Sequence, residues 1–347
     1  MTDESSMTIM ARAAVLEARG KWVPAAGAYA RGFARAVVER DVPAIADAVR
    51  GESRIRRLQG RLNAAEELAT LCLEISDRNE LRSSGAHALN ILASIEFSRE
   101  NLASAKRLFT ESLERARNLC DDTLIGMTCT NLGALANTEG KFREARILYL
   151  ESIAATVRSG DKRTAAMNYN NLGICCTALQ EWLEAEVYLE RGIEIAEHVS
   201  DMPLLARLLM NRAEPLILLG DLHRATNTLN RAEELAKRAS DPEVLATVSR
   251  FRGAISRITG NFVAADEHLS CALAMAQEAE LEMEHAEILE AQARLWWELG
   301  RKQEAISLLL QAHRGFVSLG ARREIARTEQ MLLLWKEGAL VAPAGGL

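Results

Sequence analysis

The sequence predicts an all-α protein, a right-handed α-solenoid of about eight antiparallel helical hairpins followed by a C-terminal capping helix. Two observations support this fold class. The 347-residue chain is rich in Ala and Leu, has only 6 prolines and 5% aromatic residues, and shows no strand-like alternation. Ala and Leu favour helices and proline breaks them. A turn motif also recurs at a constant spacing along most of the chain.

The recurring turn joins two helices and repeats every 40 residues across eight units, without insertion or deletion. Glycine at most of the turn positions is typical of a tight turn at a helix end. Such a hairpin cannot bury its apolar stripe alone, so the units are expected to stack. The turn residues are Gly20, Gly60, Glu100, Gly140, Gln180, Gly220, Gly260 and Gly300.

Two further positions of each unit carry small residues, which allow the two helices of a hairpin to cross closely. The position seven residues before the turn holds Ala13, Ser53, Ala93, Gly133, Gly173, Ala213, Gly253 and Ala293. The position five residues after it holds Ala25, Ala65, Ala105, Ala145, Ala185, Ala225, Ala265 and Ala305. An aspartate precedes several first helices and is expected to cap their free N–H groups. These aspartates are Asp41, Asp121, Asp161, Asp201 and Asp241.

This pattern resembles the tetratricopeptide repeat. One unit matches that repeat at Leu132, Gly133, Gly140, Phe142, Ala145, Tyr149 and Ser152, and the next at Leu172, Gly173, Trp182, Ala185, Leu189 and Gly192, with Gln180 in place of the turn glycine. The period exceeds the usual ~34 residues, so the chain looks more like the long-helix variants, kinesin light chains and the peptide-sensing arms of bacterial regulators. The resemblance implies a non-enzymatic scaffold or sensor that binds a peptide or a partner segment.

The repeat also defines the expected domain organisation. Residues 1–6 are expected to be disordered, 7–320 to form the solenoid, 321–337 to form the capping helix and 338–347 to form a disordered tail. The N-terminus lacks the basic and apolar segments of a secretory signal, and no stretch is apolar enough to cross a bilayer. We therefore expect a cytoplasmic protein that makes no membrane contact.

The charge balance argues against direct nucleic-acid binding. The formal net charge is -6 and the pI about 5.7, whereas a nucleic-acid binder needs a basic face. The main basic run is expected to form solvated helix faces and ion pairs with nearby glutamates. It comprises Arg50, Arg54, Arg56, Arg57 and Arg61. The 6 cysteines form no CxxC pair and are expected mostly to fill the core.

A row of asparagines is the main candidate binding site. In an array of this kind the first helices line the concave groove, and three consecutive units place Asn131, Asn171 and Asn211 two residues before the small residue. Asn90 and Asn170 stand one place earlier in their units. An amide both donates and accepts, so such a row could hold the main chain of an extended peptide. The resemblance implies this role for the first three, since groove asparagines contact peptides in that family; alternatively, they only bridge adjacent helices.

Other residues near this row have two interpretations each. Three arginines could bind a carboxylate of the ligand or could instead pair with Glu214 and Asp266; they are Arg207, Arg250 and Arg257. Four apolar residues could accept an apolar anchor or belong to the core; they are Met127, Met167, Ile174 and Met210.

The sequence contains no enzyme signature. Its 6 histidines are scattered, with only His87 on the expected groove stripe, and there is no HExxH, GxSxG or phosphate-binding loop. We predict no catalytic residue, no metal ligand and no cofactor. One alternative function is an architectural subunit that assembles a complex or a homodimer through its convex face, its C-terminal repeats and Trp296 and Trp297. Another is the ligand-responsive arm of a regulatory system whose effector domain is on another protein.

Overall fold

A computed structural model describes residues 4–336, which form seventeen α-helices and no strand. The predicted tail at 338–347 lies outside the described residues, as do residues 1–3. The helices are α1 (Ser6–Ala18), α2 (Trp22–Glu39), α3 (Val42–Leu58), α4 (Leu62–Arg78), α5 (Arg82–Ser98), α6 (Leu102–Asn118), α7 (Asp122–Thr138), α8 (Phe142–Ser159), α9 (Lys162–Ala178), α10 (Trp182–Val199), α11 (Met202–Leu218), α12 (Leu222–Ala239), α13 (Pro242–Ile258), α14 (Phe262–Glu278), α15 (Glu282–Glu298), α16 (Lys302–Ser318) and α17 (Arg322–Lys336).

The backbone enters the left-handed region once every 20 residues. All eight predicted turn residues do so, with φ between 63° and 80°. The next residue then donates its N–H to a carbonyl five positions back, as Asn261 does to Ser256 at 2.8 Å. This bond closes the C-terminus of the preceding helix. The predicted turns are therefore confirmed.

The links between hairpins use the same conformation, which the sequence pattern did not predict. They were missed because most of the residues concerned are not glycine. The left-handed link residues are Arg40, Glu80, Cys120, Gly160, Ser200, Ser240, Glu280 and Gly320.

The predicted aspartate caps are confirmed. Each of the five carboxylates accepts a hydrogen bond from the backbone N–H three residues later, at 3.0 to 3.3 Å. Asp221 and Asn261 cap two of the second helices in the same way. These bonds satisfy N–H groups that the first turn of a helix leaves free.

The chain divides into two compact units. Of the described residues, the first unit comprises 4–135 and 154–159, and the second comprises 136–153 and 160–336. Within each unit, sequential helices pack together and the first helices of neighbouring hairpins also touch. These first-helix contacts join α1 to α3 and α3 to α5 in the first unit, and α9 to α11, α11 to α13 and α13 to α15 in the second.

The small residues lie where the helices of a hairpin cross, as predicted. The eight alanines that follow the turns are all 0% exposed. In one hairpin the Ser53 hydroxyl donates to the Ala65 carbonyl at 2.7 Å, so the two positions are in contact. In another, a Cβ added to Gly173 would lie 2.3 Å from Cγ of Leu189. The small residue therefore makes room for a leucine of the second helix.

Four of the six cysteines are buried, which agrees with the predicted core role for most of them. These are Cys72, Cys129, Cys175 and Cys176, whereas Cys120 and Cys271 are exposed. None of the helices in the described part of the chain has the length and hydropathy needed to cross a bilayer.

Replacing Glu100 by glycine is expected to stabilise the protein by about 1 kcal/mol, because Glu100 is held at φ 63° and the left-handed region penalises a side chain. Gly220→Ala is the opposite test: an added Cβ there would meet nothing within 4 Å, so it should destabilise by about 1 kcal/mol through the backbone alone. Urea unfolding of both variants measures these effects. Equal stabilities of the two variants and the wild type would contradict the account of the turns.

Candidate functional site

The second unit contains a pocket of about 610 Å³ lined mainly by first helices. Helices α9, α11, α13 and α15 contribute, together with the segment Leu319–Glu324 at the start of α17. The pocket brings together five of the seven predicted groove residues: Asn170, Asn171, Arg207, Asn211 and Arg250. Met210 and Ile174 line it as well.

The two remaining predicted residues, Asn90 and Asn131, belong to the first unit. Nδ2 of Asn131 donates to Oδ1 of Asn90 at 3.3 Å. Asn90 is buried and donates in turn to the Thr128 hydroxyl at 2.8 Å. These contacts are those of the bridging interpretation, in which the asparagines tie neighbouring first helices together.

The asparagines of the pocket are not equivalent to one another. Nδ2 of Asn211 donates to Oδ1 of Asn170 at 2.9 Å, which repeats the bridge seen in the first unit. Asn171 differs, because its half-buried side chain lines the pocket and forms no hydrogen bond with any residue from 4 to 336. Its amide is therefore the one in this group that keeps both its donor and its acceptor available to a ligand.

The arginines near the row are engaged by acidic residues of the adjacent first helix. Arg207 pairs with Asp241 at 3.3 Å and with Glu243 at 2.8 Å. Arg250 pairs with Glu287 at 2.8 Å. Their charges are thus largely balanced within the unit.

Pairing was one of the two interpretations of these arginines, but the partners it named, Glu214 and Asp266, were wrong. Arg257 instead pairs with Glu298, and Asp266 accepts a hydrogen bond from Nε1 of Trp296 at 3.2 Å. The reason is geometric: the nearest acids lie about one repeat further along the chain, on the next first helix.

Two glutamates that line the pocket, Glu284 and Glu324, are partly buried, which disfavours their ionised forms. Burial raises the pKa of Glu284, and the charges of Glu287 and Glu243 raise it further. Burial also raises the pKa of Glu324, although the charge of Arg327 opposes this. Buried carboxyl groups of this kind cost stability when ionised and are common at functional sites.

The sequence pattern did not single out Glu284 and Glu324. The asparagine row marks one level of the first helices, whereas these glutamates lie about two turns earlier on theirs. A search of the first helices about two turns before the asparagine position, near the N-terminal ends of α15 and α17, would have identified them.

A buried ion triad holds α17, and hence one wall of the pocket, against α15. Glu290 is 3% exposed and accepts from Arg294 at 2.8 Å and from Arg327 at 2.6 Å. Burial alone would raise the pKa of Glu290, but the charges of Arg327 and Arg294 outweigh burial and lower it.

The adjacent tryptophans also serve the packing of this region. Trp297 is 8% exposed, and its ring stacks on Trp335 with centroids 4.4 Å apart. Trp296 bonds to Asp266, and the guanidinium of Arg301 lies 4.0 Å from its ring centroid. Both residues of the predicted assembly surface are therefore in contact with residues of this same unit.

Residues 163–238 match the sequence model of the tetratricopeptide repeat. The fold is a tetratricopeptide-type solenoid. Across residues 4–336, no group of three or more His, Cys, Asp or Glu side chains is placed to hold a metal ion. No curated protein matches the sequence.

Solved structures of the same fold include three relevant neighbours. A signal transduction ATPase with a tetratricopeptide repeat sensor from Pyrococcus horikoshii has a TM-score of 0.65 and 17% identity, over 80% of this chain and 43% of that one. A Rap protein complexed with competence and sporulation factor has a TM-score of 0.60 and 13% identity, over 96% and 98%. The apo quorum sensor NprR from B. thuringiensis has a TM-score of 0.60 and 15% identity, over 78% and 76%.

Glu290→Gln is expected to destabilise the protein by about 3 kcal/mol, because it leaves two buried guanidinium groups without their counter-charge. Thermal and urea unfolding at neutral pH measure the loss. Glu304→Gln removes one partner of an exposed pair with Arg301 and should change stability by less than about 0.5 kcal/mol.

The same triad gives a pH dependence. The folded pKa of Glu290 lies below its ordinary 4.5, so its contribution is fully present above that value and is lost as the pH falls through the folded pKa. The difference in unfolding free energy between wild type and Glu290→Gln should therefore shrink in strong acid. A difference that is the same at all pH values would exclude this role of the carboxylate.

Proposed function

We propose that this chain is a non-enzymatic scaffold or sensor that binds an extended peptide, or an extended segment of a partner protein, in the pocket of its second unit. The observation that carries the proposal is the unpaired amide of Asn171 in that pocket. Solvent reaches this amide, since neither of its polar atoms is both buried and unsatisfied. A ligand that pairs with it would exchange contacts with water for hydrogen bonds inside the pocket.

The main chain of an extended peptide offers the groups that such an amide needs. One residue of an extended peptide can donate its N–H to Oδ1 of Asn171 and accept from Nδ2 with its carbonyl, since both groups of that residue point the same way. The bond between Asn211 and Asn170 fixes a second pair of amides beside it, and each of these keeps part of its hydrogen-bonding capacity. Fixed polar groups of this kind lower the entropy lost when a ligand binds.

Five glutamates and four arginines line the pocket, and this small excess of negative charge favours a ligand with a positive group. Arg207 and Arg250 are already paired, so neither is the natural partner of a ligand carboxylate. Glu284 and Glu324, in contrast, are raised in pKa by burial. A lysine, an arginine or an N-terminal ammonium of the ligand would stabilise their ionised forms.

The volume of the pocket and the structural neighbours of the chain support the same proposal. Its volume of about 610 Å³ falls in the usual range for ligand sites, ~300–1,000 Å³, and suits a few residues of a peptide. Among proteins of this fold, one is complexed with competence and sporulation factor and another is a quorum sensor.

Asn171→Ala is expected to weaken peptide binding about 5–20-fold, the loss of one or two hydrogen bonds, while leaving the melting temperature unchanged. The probe is a peptide selected with the wild-type protein from a random heptapeptide display library and measured by fluorescence anisotropy. Asn131→Ala is the matched control, since it stands at the same repeat position but outside the pocket. Unchanged affinity in Asn171→Ala, or an equal loss in the control, would argue against the proposed site.

Glu284→Gln is expected to raise the melting temperature at pH 7, because a group with a raised folded pKa costs stability while it is ionised. The gain should vanish as the pH falls below the ordinary glutamate value of 4.5. The same variant should bind the selected peptide more weakly when that peptide carries a positive charge. Glu282→Gln, an exposed change on the same helix, controls for the general loss of one negative charge; equal behaviour of the two variants would count against the pocket's charge preference.

A further inference from the structure

Helix α3 carries three arginines on one face in the first unit. Arg50, Arg54 and Arg57 are spaced by four and three residues, which places their side chains on the same side of a helix. They belong to the basic run whose members were expected to form ion pairs with nearby acids. Two of the three do so.

Arg54 is held by Glu17 of α1. Its Nε and Nη2 donate to the two carboxylate oxygens at 2.7 Å each, and Nη2 also contacts the Tyr29 hydroxyl at 3.2 Å. Arg50 pairs with Asp47 at 3.1 Å. Each of these two cations therefore has one carboxylate of its own.

Arg57 has no such partner. Among residues 4–336 its side chain forms neither a salt bridge nor a hydrogen bond, and its Nε is buried and unsatisfied. Burial and the charge of Arg54 lower the pKa of Arg57. A partly buried guanidinium without a counter-ion is unfavourable in a protein.

The repeat itself shows what this arginine lacks. Arg257 stands at the equivalent position five units later and pairs with Glu298. The residue equivalent to Glu298 beside Arg57 is Ser98, whose hydroxyl donates to the Ser94 carbonyl at 3.0 Å. A carboxylate present in one hairpin is therefore replaced by a small neutral residue in the other.

The nearby histidine does not change this balance. His87 of α5 lies 3.6 Å from Asp121, and burial together with the charge of Arg50 lowers its pKa to about 4. It is neutral at physiological pH. Asp121 is then a third carboxylate in this region, so three carboxylates match the three arginines in number. None of the three forms a salt bridge with Arg57, which therefore lacks a counter-ion within reach.

We propose that Arg57, flanked by Arg54, binds a carboxylate or phosphate group of an external ligand, which takes the place that Glu298 occupies beside Arg257. The planar guanidinium suits both groups, since each offers two oxygens to its paired N–H donors. This site lies in the first unit and does not depend on the peptide pocket of the second.

The proposal is tested by the melting temperature of the full chain in sodium acetate and in sodium phosphate, each against sodium chloride at equal ionic strength. The wild type is expected to gain about 1–3 °C in at least one of the two oxyanions. A gain in phosphate alone identifies a phosphate site, and a gain that includes acetate identifies a carboxylate site. Arg57→Gln should abolish the gain, whereas the matched variant Arg257→Gln should retain it.

Ser98→Glu provides an independent test, since it restores the carboxylate found beside Arg257. It should raise the melting temperature in chloride and abolish the response to oxyanions, while Ser98→Gln, of similar size, should do neither. A wild type that responds to neither oxyanion would overturn the proposal. A response that persists in both Arg57→Gln and Ser98→Glu would overturn it too.

Discussion

The left-handed residue at every twentieth position is the constraint on which the rest of the structure depends. With the backbone bond that follows it, it ends each helix at the same point of the repeat. Helices α2–α16 consequently all contain 17 or 18 residues. An insertion or deletion of one residue would rotate the residues that follow it by about 100°, so the constant 20-residue spacing of the left-handed residues keeps equivalent residues facing the same way.

Constant orientation gives the contacts between first helices their regular spacing. Within the second unit, the bridge between Asn170 and Asn211 spans 41 residues, and the first unit repeats this bridge with Asn90 and Asn131. Position in the repeat decides which residues meet, and residue type decides what they do. Arg257 is neutralised by Glu298, whereas Arg57 at the equivalent repeat position is left unpaired, with Ser98 at the position equivalent to Glu298. The binding properties of the chain arise from such local departures from the repeat.

Features that depend on local or periodic sequence could be predicted, and those that depend on neighbouring helices could not. The turns, the aspartate caps and the buried alanines each recur in phase, so the pattern alone identifies them. The left-handed links could not be predicted from residue type, because residues such as Arg40 and Ser240 do not ordinarily adopt that conformation. The ion-pair partners of Arg207 could not be predicted for another reason: Glu243 is 36 residues away in the sequence. Sequence also could not separate Asn171 from Asn211, which share a repeat position and differ only in what they contact.

The proposed function depends on the free amide of Asn171 binding the peptide. The most direct measurement is NMR of the side-chain amide signals during titration with the selected peptide. The Asn171 signals are expected to shift and to saturate with the affinity measured independently, while those of Asn131 stay in place. Saturated binding with unmoved Asn171 signals would contradict it.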